Sequence, residues 1–139
     1  MEEELANSFI SSLPGATHSG GTVSTSAAAT NTRRAVDYIM GNLRKPLSIS
    51  AICRDLKCSR RTLETSFRRS IGTSPLTFIK FQRLSQCRAE LLASTREEET
   101  VTSIASGWNF RHLAQFSADY KAMFGESPSS TLARNPQRR

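Results

Sequence analysis

Residues 58–72 of the chain read CSRRTLETSFRRSIG, and this stretch predicts a short amphipathic helix. Ser59 is a favourable N-cap because its hydroxyl can accept a hydrogen bond from a free backbone N–H of the first turn. Gly72 can adopt the left-handed conformation that ends a helix. The side chains that recur at helical spacing and are expected to face a core are Leu63, Phe67 and Ser70.

The opposite face of this helix carries long or polar side chains at positions i, i+3, i+4 and i+7, namely Arg61, Glu64, Thr65 and Arg68. Such side chains suit the edges of bases in a DNA major groove. The alternative is that this face is a charged, solvated surface. For an isolated helix, the solvated surface is the preferred interpretation. The sequence on either side of the helix therefore has to decide between the two.

The charge of the chain is unevenly distributed. Its 139 residues, enough for one ordinary domain or two very small ones, carry a formal net charge of +7. Residues 1–32 contain three Glu and no Lys or Arg, whereas residues 33–139 contain 19 basic and 9 acidic residues, a net charge of +10. A basic domain attracts polyanions, so nucleic acid is the first partner to consider and an anionic membrane the second. A contribution to solubility alone is the less specific explanation.

Several classes of protein fit the sequence poorly. No apolar run approaches the ~20 residues that cross a bilayer, and the N-terminal residues lack the basic n-region and apolar h-region of a signal peptide. We therefore expect a cytoplasmic protein without a membrane partner. The three cysteines form no Cys-x-x-Cys pair and lie far in sequence from the two histidines. We therefore expect reduced thiols, no metal and no other cofactor. Paired carboxylates, a nucleophile triad or a phosphate-cradling Gly loop are not found, which argues against an enzyme.

The two ends of the chain differ from its middle. Residues 1–32 are interpreted as a flexible N-terminal arm or interdomain linker, because residues 14–32 are rich in Gly, Ser, Thr and Ala and have no apolar period. Order is expected to begin near Thr32, and Pro46 follows the first helix. The apolar side of that helix is predicted to be Val36, Ile39, Met40 and Leu43. Residues 135–139 are interpreted as a frayed basic tail.

Two short helices joined by a tight turn are predicted at about residues 48–72, where Ser48 caps a helix whose buried face is Ile49, Ile52, Cys53 and Leu56. This is the pattern of a helix-turn-helix. Ser74 and Pro75 then begin a longer helix that extends to about Ser94. Its apolar side is expected to contain Phe78, Phe81, Leu84, Cys87, Leu91 and Leu92.

The pattern is repeated later in the chain. The buried face of the first short helix is echoed 52 residues later by Val101, Ile104, Ala105 and Trp108. Leu63, Phe67, Gly72, Ser74 and Pro75 are echoed 53 residues later by Phe116, Tyr120, Gly125, Ser127 and Pro128. Two copies that each end in Gly-x-Ser-Pro predict a second helix-turn-helix at about residues 101–125.

The length of the connecting helix relates the two units to DNA. A helix over residues 75–94 is about 30 Å long at ~1.5 Å per residue. Successive major-groove faces on one side of B-DNA lie ~34–36 Å apart. A single chain is therefore expected to place two recognition helices in adjacent major grooves of an asymmetric site, without needing a dimer.

The stretch from about Arg33 to Arg134 resembles the DNA-binding domain of the AraC/XylS family of bacterial transcription regulators. The residues that carry the resemblance are Pro46-Leu47-Ser48-Ile49, Ser59-Arg60-Arg61-Thr62-Leu63, Phe67-Arg68, Gly72-Thr73-Ser74-Pro75, Arg83-Leu84, Arg88, Ile104-Ala105, Asn109-Phe110, Phe116-Ser117, Tyr120-Lys121 and Phe124-Gly125-Glu126-Ser127-Pro128. The family's usual turn glycine is replaced by Lys57 in the first unit and Asn109 in the second. Trp108 and its neighbours look most like the branch that regulates catabolic operons.

The resemblance implies an all-α domain of seven helices, with two helix-turn-helix units joined by a long linker helix. It also implies promoter binding, with activation through contact with RNA polymerase. The family's base-reading positions match Arg61, Glu64 and Thr65 in the first unit and Leu113, Ala114, Gln115 and Ala118 in the second. The second set offers few hydrogen bonds, so the first unit is expected to set most of the specificity.

Phosphate contacts are expected from helix starts and from cations beside the grooves. The candidates are Ser48, Ser59, Arg60, Arg68, Lys80, Arg83, Thr102, Arg111, His112 and Lys121. For any one cation, a solvated surface position is an equal alternative. Glu64 has an alternative as an i,i+4 ion-pair partner of Arg60 or Arg68. His112 is interpreted as a capping or phosphate-contact residue.

The leading hypothesis is a sequence-specific regulator that binds double-stranded promoter DNA. The alternative is a helix-turn-helix module that binds RNA polymerase or another partner without reading DNA. Most of the family carries a sensor domain, for which this chain has no room, so any small-molecule effector would act through a domain that is not present here. The linker-like arm favours a piece of a longer regulator over one of the small single-domain members.

Overall fold

The computed structural model describes the backbone of residues 23–138 and the side chains from residue 27 onward. The described residues form seven α-helices and one short 3-10 helix, and they contain no strand. This confirms the predicted all-α class. In chain order the helices are α1 Val23–Gly41, α2 Ile49–Leu56, α3 Arg60–Ser70, α4 Pro75–Ala93, α5 Val101–Gly107, α6 Leu113–Phe124, α7 Pro128–Ala133 and the 3-10 helix Pro136–Arg138.

Helix α1 begins at Val23 and not near Thr32, so residues 23–32 of the predicted arm are helical. Thr32 is only 4% exposed. Its hydroxyl lies 2.9 Å from the carbonyl oxygen of Ala28, to which it donates, and 3.3 Å from Oγ of Ser70 on α3. Thr32 thus packs against α3 with its hydroxyl hydrogen-bonded, which an apolar period could not reveal. Residues 1–22 lie outside the described residues.

Two other sequence expectations at the edges of the fold were wrong. Met40, predicted to be buried on α1, is 42% exposed. Asn135, predicted to lie in a frayed tail, is fully buried, and its Nδ2 donates to the carbonyls of Leu91 and Ser94 at 3.0 and 2.9 Å. Arg138 in turn donates to the carbonyl of Glu99 at 2.6 Å. The end of the chain is therefore anchored by polar contacts, which leave no apolar pattern in the sequence.

The helices divide into two compact units, and α4 begins in the first and ends in the second. Among the described residues, the first unit comprises residues 23–42 and 47–80. Its fully or almost fully buried side chains include Ala35, Ile39, Ile52, Leu63, Phe67 and Phe78. The rings of Phe67 and Phe78 meet edge to face with centroids 5.6 Å apart. The predicted core face of α3 is confirmed at Leu63 and Phe67, whereas Ser66 is buried and Ser70 is partly exposed.

The second unit comprises residues 43–46 and 81–139. Its core consists of Leu84, Cys87, Leu91, Ile104, Ala105, Phe116, Tyr120 and Phe124. Three aromatic contacts run along α6, from Phe110 to Phe116 at 4.8 Å, from Phe116 to Tyr120 at 5.8 Å, and from Tyr120 to Phe124 at 4.7 Å between centroids. Burial raises the pKa of the Cys87 thiol in this core to about 12.

Caps and turns fix the register of both helix pairs. The hydroxyls of Ser48, Ser59 and Ser74 accept from backbone amides three residues later at 3.1 to 3.2 Å, as predicted. The turns between paired helices place Lys57 at φ 53° and Asn109 at φ 67°. These are left-handed conformations, in which Asn is better tolerated than Lys.

Candidate nucleic-acid interface

The predicted base-contact residues of the first unit lie on the outer side of α3. Leu63 and Phe67 are fully buried, which turns the other side of the helix outward. Arg61 and Thr65 are exposed, and Glu64 is partly exposed. Arg68, predicted to contact phosphate, is exposed near the C-terminal end of the same helix. The structure therefore brings these candidates together on one helix.

Glu64 forms an ion pair on the helix surface. Its Oε1 lies 3.1 Å from Nε of Arg60, one turn earlier, and the two side chains are 41% and 69% exposed. An exposed pair of this kind stabilises a helix by only a few tenths of a kcal/mol. The alternative interpretation of Glu64, an i,i+4 partner of Arg60, is therefore realised in the structure. It does not by itself exclude a base contact, because Oε2 is not the paired oxygen.

A cleft lies between α1 and α3, with a volume of about 330 Å³. Two of the predicted base-contact residues, Arg61 and Thr65, line it. The remaining lining residues are Ala27, Ala28 and Asn31 of α1 and Thr62, Ser66 and Arg69 of α3. Sequence reasoning assigned no role to Arg69 or Asn31. Arg69 follows Arg61 by eight residues and could have been found from that spacing, but Asn31 lay in the stretch interpreted as a linker.

Helix α6 presents the predicted base-contact residues of the second unit. Phe116 and Tyr120 are buried, so the exposed positions are Leu113, Ala114, Gln115 and Ala118. Leu113 is 43% exposed, which leaves it available for contact. Gln115 donates from Nε2 to Oδ1 of Asp119 at 3.0 Å. His112 occupies the N-cap position of α6, but its side chain makes no capping hydrogen bond to the described backbone.

A buried polar chain fixes the C-terminal end of α6 to α7. The hydroxyl of Tyr120 donates to Oγ1 of Thr131 at 2.8 Å, and Thr131 donates to Oε1 of Glu126 at 2.8 Å. Arg134 also donates to this carboxylate, and Arg88 lies 3.8 Å from it. The Arg134 hydrogen bond is the main reason that the pKa of Glu126 is below its ordinary value. Burial raises the pKa of Tyr120.

The turn of the second helix-turn-helix is held by Trp108. Its indole Nε1 donates to Oε2 of Glu90 on α4 at 2.6 Å. The guanidinium of Arg44 stacks 3.8 Å from the centre of the indole ring, and its Nη2 lies 3.2 Å from the same Glu90 oxygen. These contacts position the end of α5, and through it the start of α6.

The predicted phosphate-contact residues are exposed or partly exposed. Arg83 differs from the others in that its guanidinium donates two hydrogen bonds within the chain. Its Nε donates to the carbonyl of Leu43 at 2.9 Å and its Nη2 to the carbonyl of Lys45 at 2.8 Å. Burial lowers its pKa. Two of its five N–H donors are therefore engaged within the chain, and Arg83 holds the segment after α1. Its contact with a phosphate stays a prediction. The exposed candidates are Ser48, Ser59, Arg60, Arg68, Thr102, Arg111, His112 and Lys121, and Lys80 is partly exposed.

Within the part of the chain that the structure describes, no three or more His, Cys, Asp or Glu side chains cluster as metal ligands would. None of the described helices combines the length and the hydropathy needed to cross a bilayer.

Comparison with known proteins gives a consistent result. A helix-turn-helix domain family matches residues 52–134. The "Probable thc operon regulatory protein" of Rhodococcus erythropolis is 38% identical over 106 residues, which are 76% of this chain and 32% of that protein. The "XylDLEGF operon transcriptional activator 2" of Pseudomonas putida is 33% identical over 100 residues, 72% of this chain and 64% of that protein. The chain thus spans less than two thirds of the length of these relatives.

One solved structure is similar to this chain in both sequence and fold. It is described as a probable AraC family transcriptional regulator from Rhodopseudomonas palustris CGA009 and is 35% identical, with a TM-score of 0.71. The match covers 76% of this chain and 97% of that one. Members of this family are transcription regulators and not enzymes. The chain belongs to the AraC/XylS family of transcription regulators and carries its helix-turn-helix DNA-binding domain.

Proposed function

We propose that the chain binds a specific promoter sequence through α3 and α6 and activates transcription from it. The observation that carries the proposal is the outer side of α3, where Arg61 and Thr65 are exposed opposite a fully buried Leu63 and Phe67. Arg61 can pair bidentately with a guanine, and Thr65 can contact a polar base edge or a thymine methyl group.

The two recognition helices contribute differently. Helix α3 offers a guanidinium, a carboxylate and a hydroxyl at its base-contact positions, whereas α6 offers mainly Leu113, Ala114 and Ala118. Apolar side chains distinguish bases chiefly through the thymine methyl group. Gln115 can read adenine after it exchanges its hydrogen bond with Asp119. Helix α3 therefore sets most of the specificity, and α6 mainly sets the register.

Both helices act on one duplex in this proposal. Helix α4 has 19 residues and is therefore about 28 Å long at ~1.5 Å per residue. This length supports occupation of adjacent major grooves, whose faces are ~34–36 Å apart. One chain would then cover an asymmetric site of about two turns.

Activation is proposed from the relatives. The Pseudomonas putida relative is described as a transcriptional activator, and the family resemblance implies contact with RNA polymerase. Promoter binding is the step that the present surface explains.

Selection of bound sequences from a random duplex pool tests the proposal, followed by a salt titration on the selected duplex and on a scrambled one. We expect tighter binding to the selected duplex and an affinity that falls linearly with the logarithm of salt concentration, because phosphate neutralisation releases counterions. Equal affinity for both duplexes at every salt concentration would contradict sequence-specific binding. Binding to RNA polymerase with no affinity for any duplex would instead favour a protein-interaction module.

A further inference from the structure

The cleft between α1 and α3 has the composition of an anion site. Among its lining residues are two arginines, Arg61 and Arg69, one amide, Asn31, and two threonines. None of the described residues that line it is acidic. Glu64, the carboxylate on α3, is not among them and is paired with Arg60 on the neighbouring side of the helix.

The guanidinium groups of Arg61 and Arg69 and the side-chain amide of Asn31 are available to bind a ligand in the cleft. Among the described residues, no ion pair engages Arg61 or Arg69, and no hydrogen bond engages the side chain of Asn31. Arg83 shows the contrast, because its guanidinium is committed to two backbone carbonyls. Two positive charges that share a cleft without a counterion favour an anionic ligand.

The position of the cleft along α3 indicates which anion it would bind, a phosphate of the DNA backbone. Arg61, Thr65 and Arg69 are spaced by four residues and lie on one stripe of α3. Arg69 is two turns, or about 12 Å, further along the helix than Arg61 at ~1.5 Å per residue. If the N-terminal part of α3 reaches base edges, as the proposed function requires, the C-terminal part lies at the level of the phosphates.

We propose that this cleft binds a phosphate of the DNA backbone, with Arg69 of α3 and Asn31 of α1 as its ligands. The inference rests on the proposed function and extends it, because it makes α1 part of the DNA-binding surface. The small side chains of Ala27 and Ala28 keep the cleft open on the α1 side. A phosphate contact from a second helix fixes the angle at which α3 enters the groove, without reading sequence.

Two neighbouring alanines provide a matched test. Ala27 and Ala29 are both exposed on α1, but only Ala27 lines the cleft. Ala27→Glu and Ala29→Glu therefore add the same charge to the same helix, and only the first places it beside Arg61 and Arg69. Arg69→Gln and Arg34→Gln form a second pair, since Arg34 is exposed on α1 and does not line the cleft. Asn31→Ala is a third variant, which removes a proposed phosphate ligand without changing the charge.

The readout is the slope of log affinity against log salt, on the selected duplex and on a scrambled one. We expect Arg69→Gln to weaken binding to both duplexes by the same factor and to reduce the slope by about 0.9, the value for one phosphate. We expect Ala27→Glu to weaken binding to both duplexes and to reduce the slope as well. We expect Asn31→Ala to weaken both equally, whereas Ala29→Glu and Arg34→Gln leave the slope unchanged. Urea unfolding of each variant checks that the fold is retained.

Three outcomes would overturn the inference. Wild-type protein that binds its duplex with a steep salt slope, together with equal effects of Ala27→Glu and Ala29→Glu, would reject the cleft and leave the proposed function intact. A change of preference at one base pair in Arg69→Gln or Asn31→Ala, without a loss of affinity for all duplexes, would make these two residues base contacts. Wild-type protein that binds no duplex would overturn the proposed function and this inference with it.

Discussion

Arg60 and Glu64 form an ion pair across one turn of α3, with 3.1 Å between Nε of the arginine and Oε1 of the glutamate. The pair lies beside Arg61 and Thr65, on the helix that is proposed to read bases. It engages one carboxylate oxygen, and an ionised carboxylate has about four lone-pair sites in total. Glu64 therefore retains an acceptor with which it can contact a cytosine amino group.

Replacement of either partner of this pair separates the two roles of Glu64. We predict that Glu64→Gln relaxes selectivity at one base pair by about 1–3 kcal/mol, because a charged group that only accepts is replaced by a neutral amide that also donates and can pair with other bases. We predict that Arg60→Gln preserves selectivity at that position, since the carboxylate remains. Affinities for the selected duplex and for its single-base-pair variants measure both effects. Unchanged selectivity in Glu64→Gln would leave Glu64 as a surface ion-pair partner only.

The two hydrogen bonds of Arg83 make a prediction about stability. We expect Arg83→Ala to lower the free energy of unfolding by about 1–3 kcal/mol, because hydrogen bonds from a charged donor to the carbonyls of Leu43 and Lys45 are lost. A shift of the urea midpoint with an unchanged m-value measures this loss. Arg34→Ala, at an exposed position, serves as the control. A reduced salt slope in DNA binding without a loss of stability would instead make Arg83 a phosphate contact.

Replacement of a left-handed turn residue by glycine is predicted to raise the free energy of unfolding. Lys57 has φ 53° and Asn109 has φ 67°, but only Asn is well suited to this conformation. We expect Lys57→Gly to raise the free energy of unfolding by about 0.5–1 kcal/mol, because glycine relieves the steric cost of the turn. Asn109→Gly should give a clearly smaller gain. Chemical denaturation of both variants provides the comparison, and equal effects at the two turns would contradict the explanation.

The lowered pKa of Glu126 leads to a prediction of how the free energy of unfolding depends on pH. Its pKa is lowered in the folded protein by the hydrogen bond from Arg134 and, to a lesser degree, by that from Thr131. The stabilisation is therefore complete above the unfolded pKa, about 4.3, and is lost as the pH falls through the folded pKa. We expect Glu126→Gln to cost about 1–2 kcal/mol at pH 7, with a difference from wild type that shrinks below pH ~4.3.

Urea midpoints between pH 3 and pH 7 measure this dependence. Glu98→Gln removes an exposed carboxylate from the loop before α5 and is the control. A difference between wild type and Glu126→Gln that stays constant over this pH range would show that the glutamate contributes through packing and not through its charge.

Local chemistry was enough to predict most of the architecture. The caps at Ser48, Ser59 and Ser74 and the start of α4 at Pro75 follow from side-chain hydroxyls and a fixed proline φ, which depend only on neighbouring residues. The repeated apolar spacing predicted the cores of both helix-turn-helix units. These features act over a few residues, so the sequence displays them directly.

The features that sequence reasoning missed depend on partners distant in the chain. The N-terminal part of α1 has no apolar stripe, and its packing becomes visible only when Thr32 meets Ser70, 38 residues later. Asn135 is buried because two carbonyls more than 40 residues earlier accept its amide hydrogens. The commitment of Arg83 to Leu43 and Lys45 likewise distinguishes it from the solvated arginines only in three dimensions.

In the proposed function, α3 is the main determinant of specificity and Arg61 is its principal base contact. The most direct test measures the affinities of wild type and Arg61→Ala for the selected duplex and for a set in which each base pair is replaced in turn. We predict that Arg61→Ala loses about 1–3 kcal/mol on the selected duplex and no longer discriminates at one guanine position. A loss of the same size on every duplex, with all base preferences retained, would make Arg61 a phosphate contact and contradict the account.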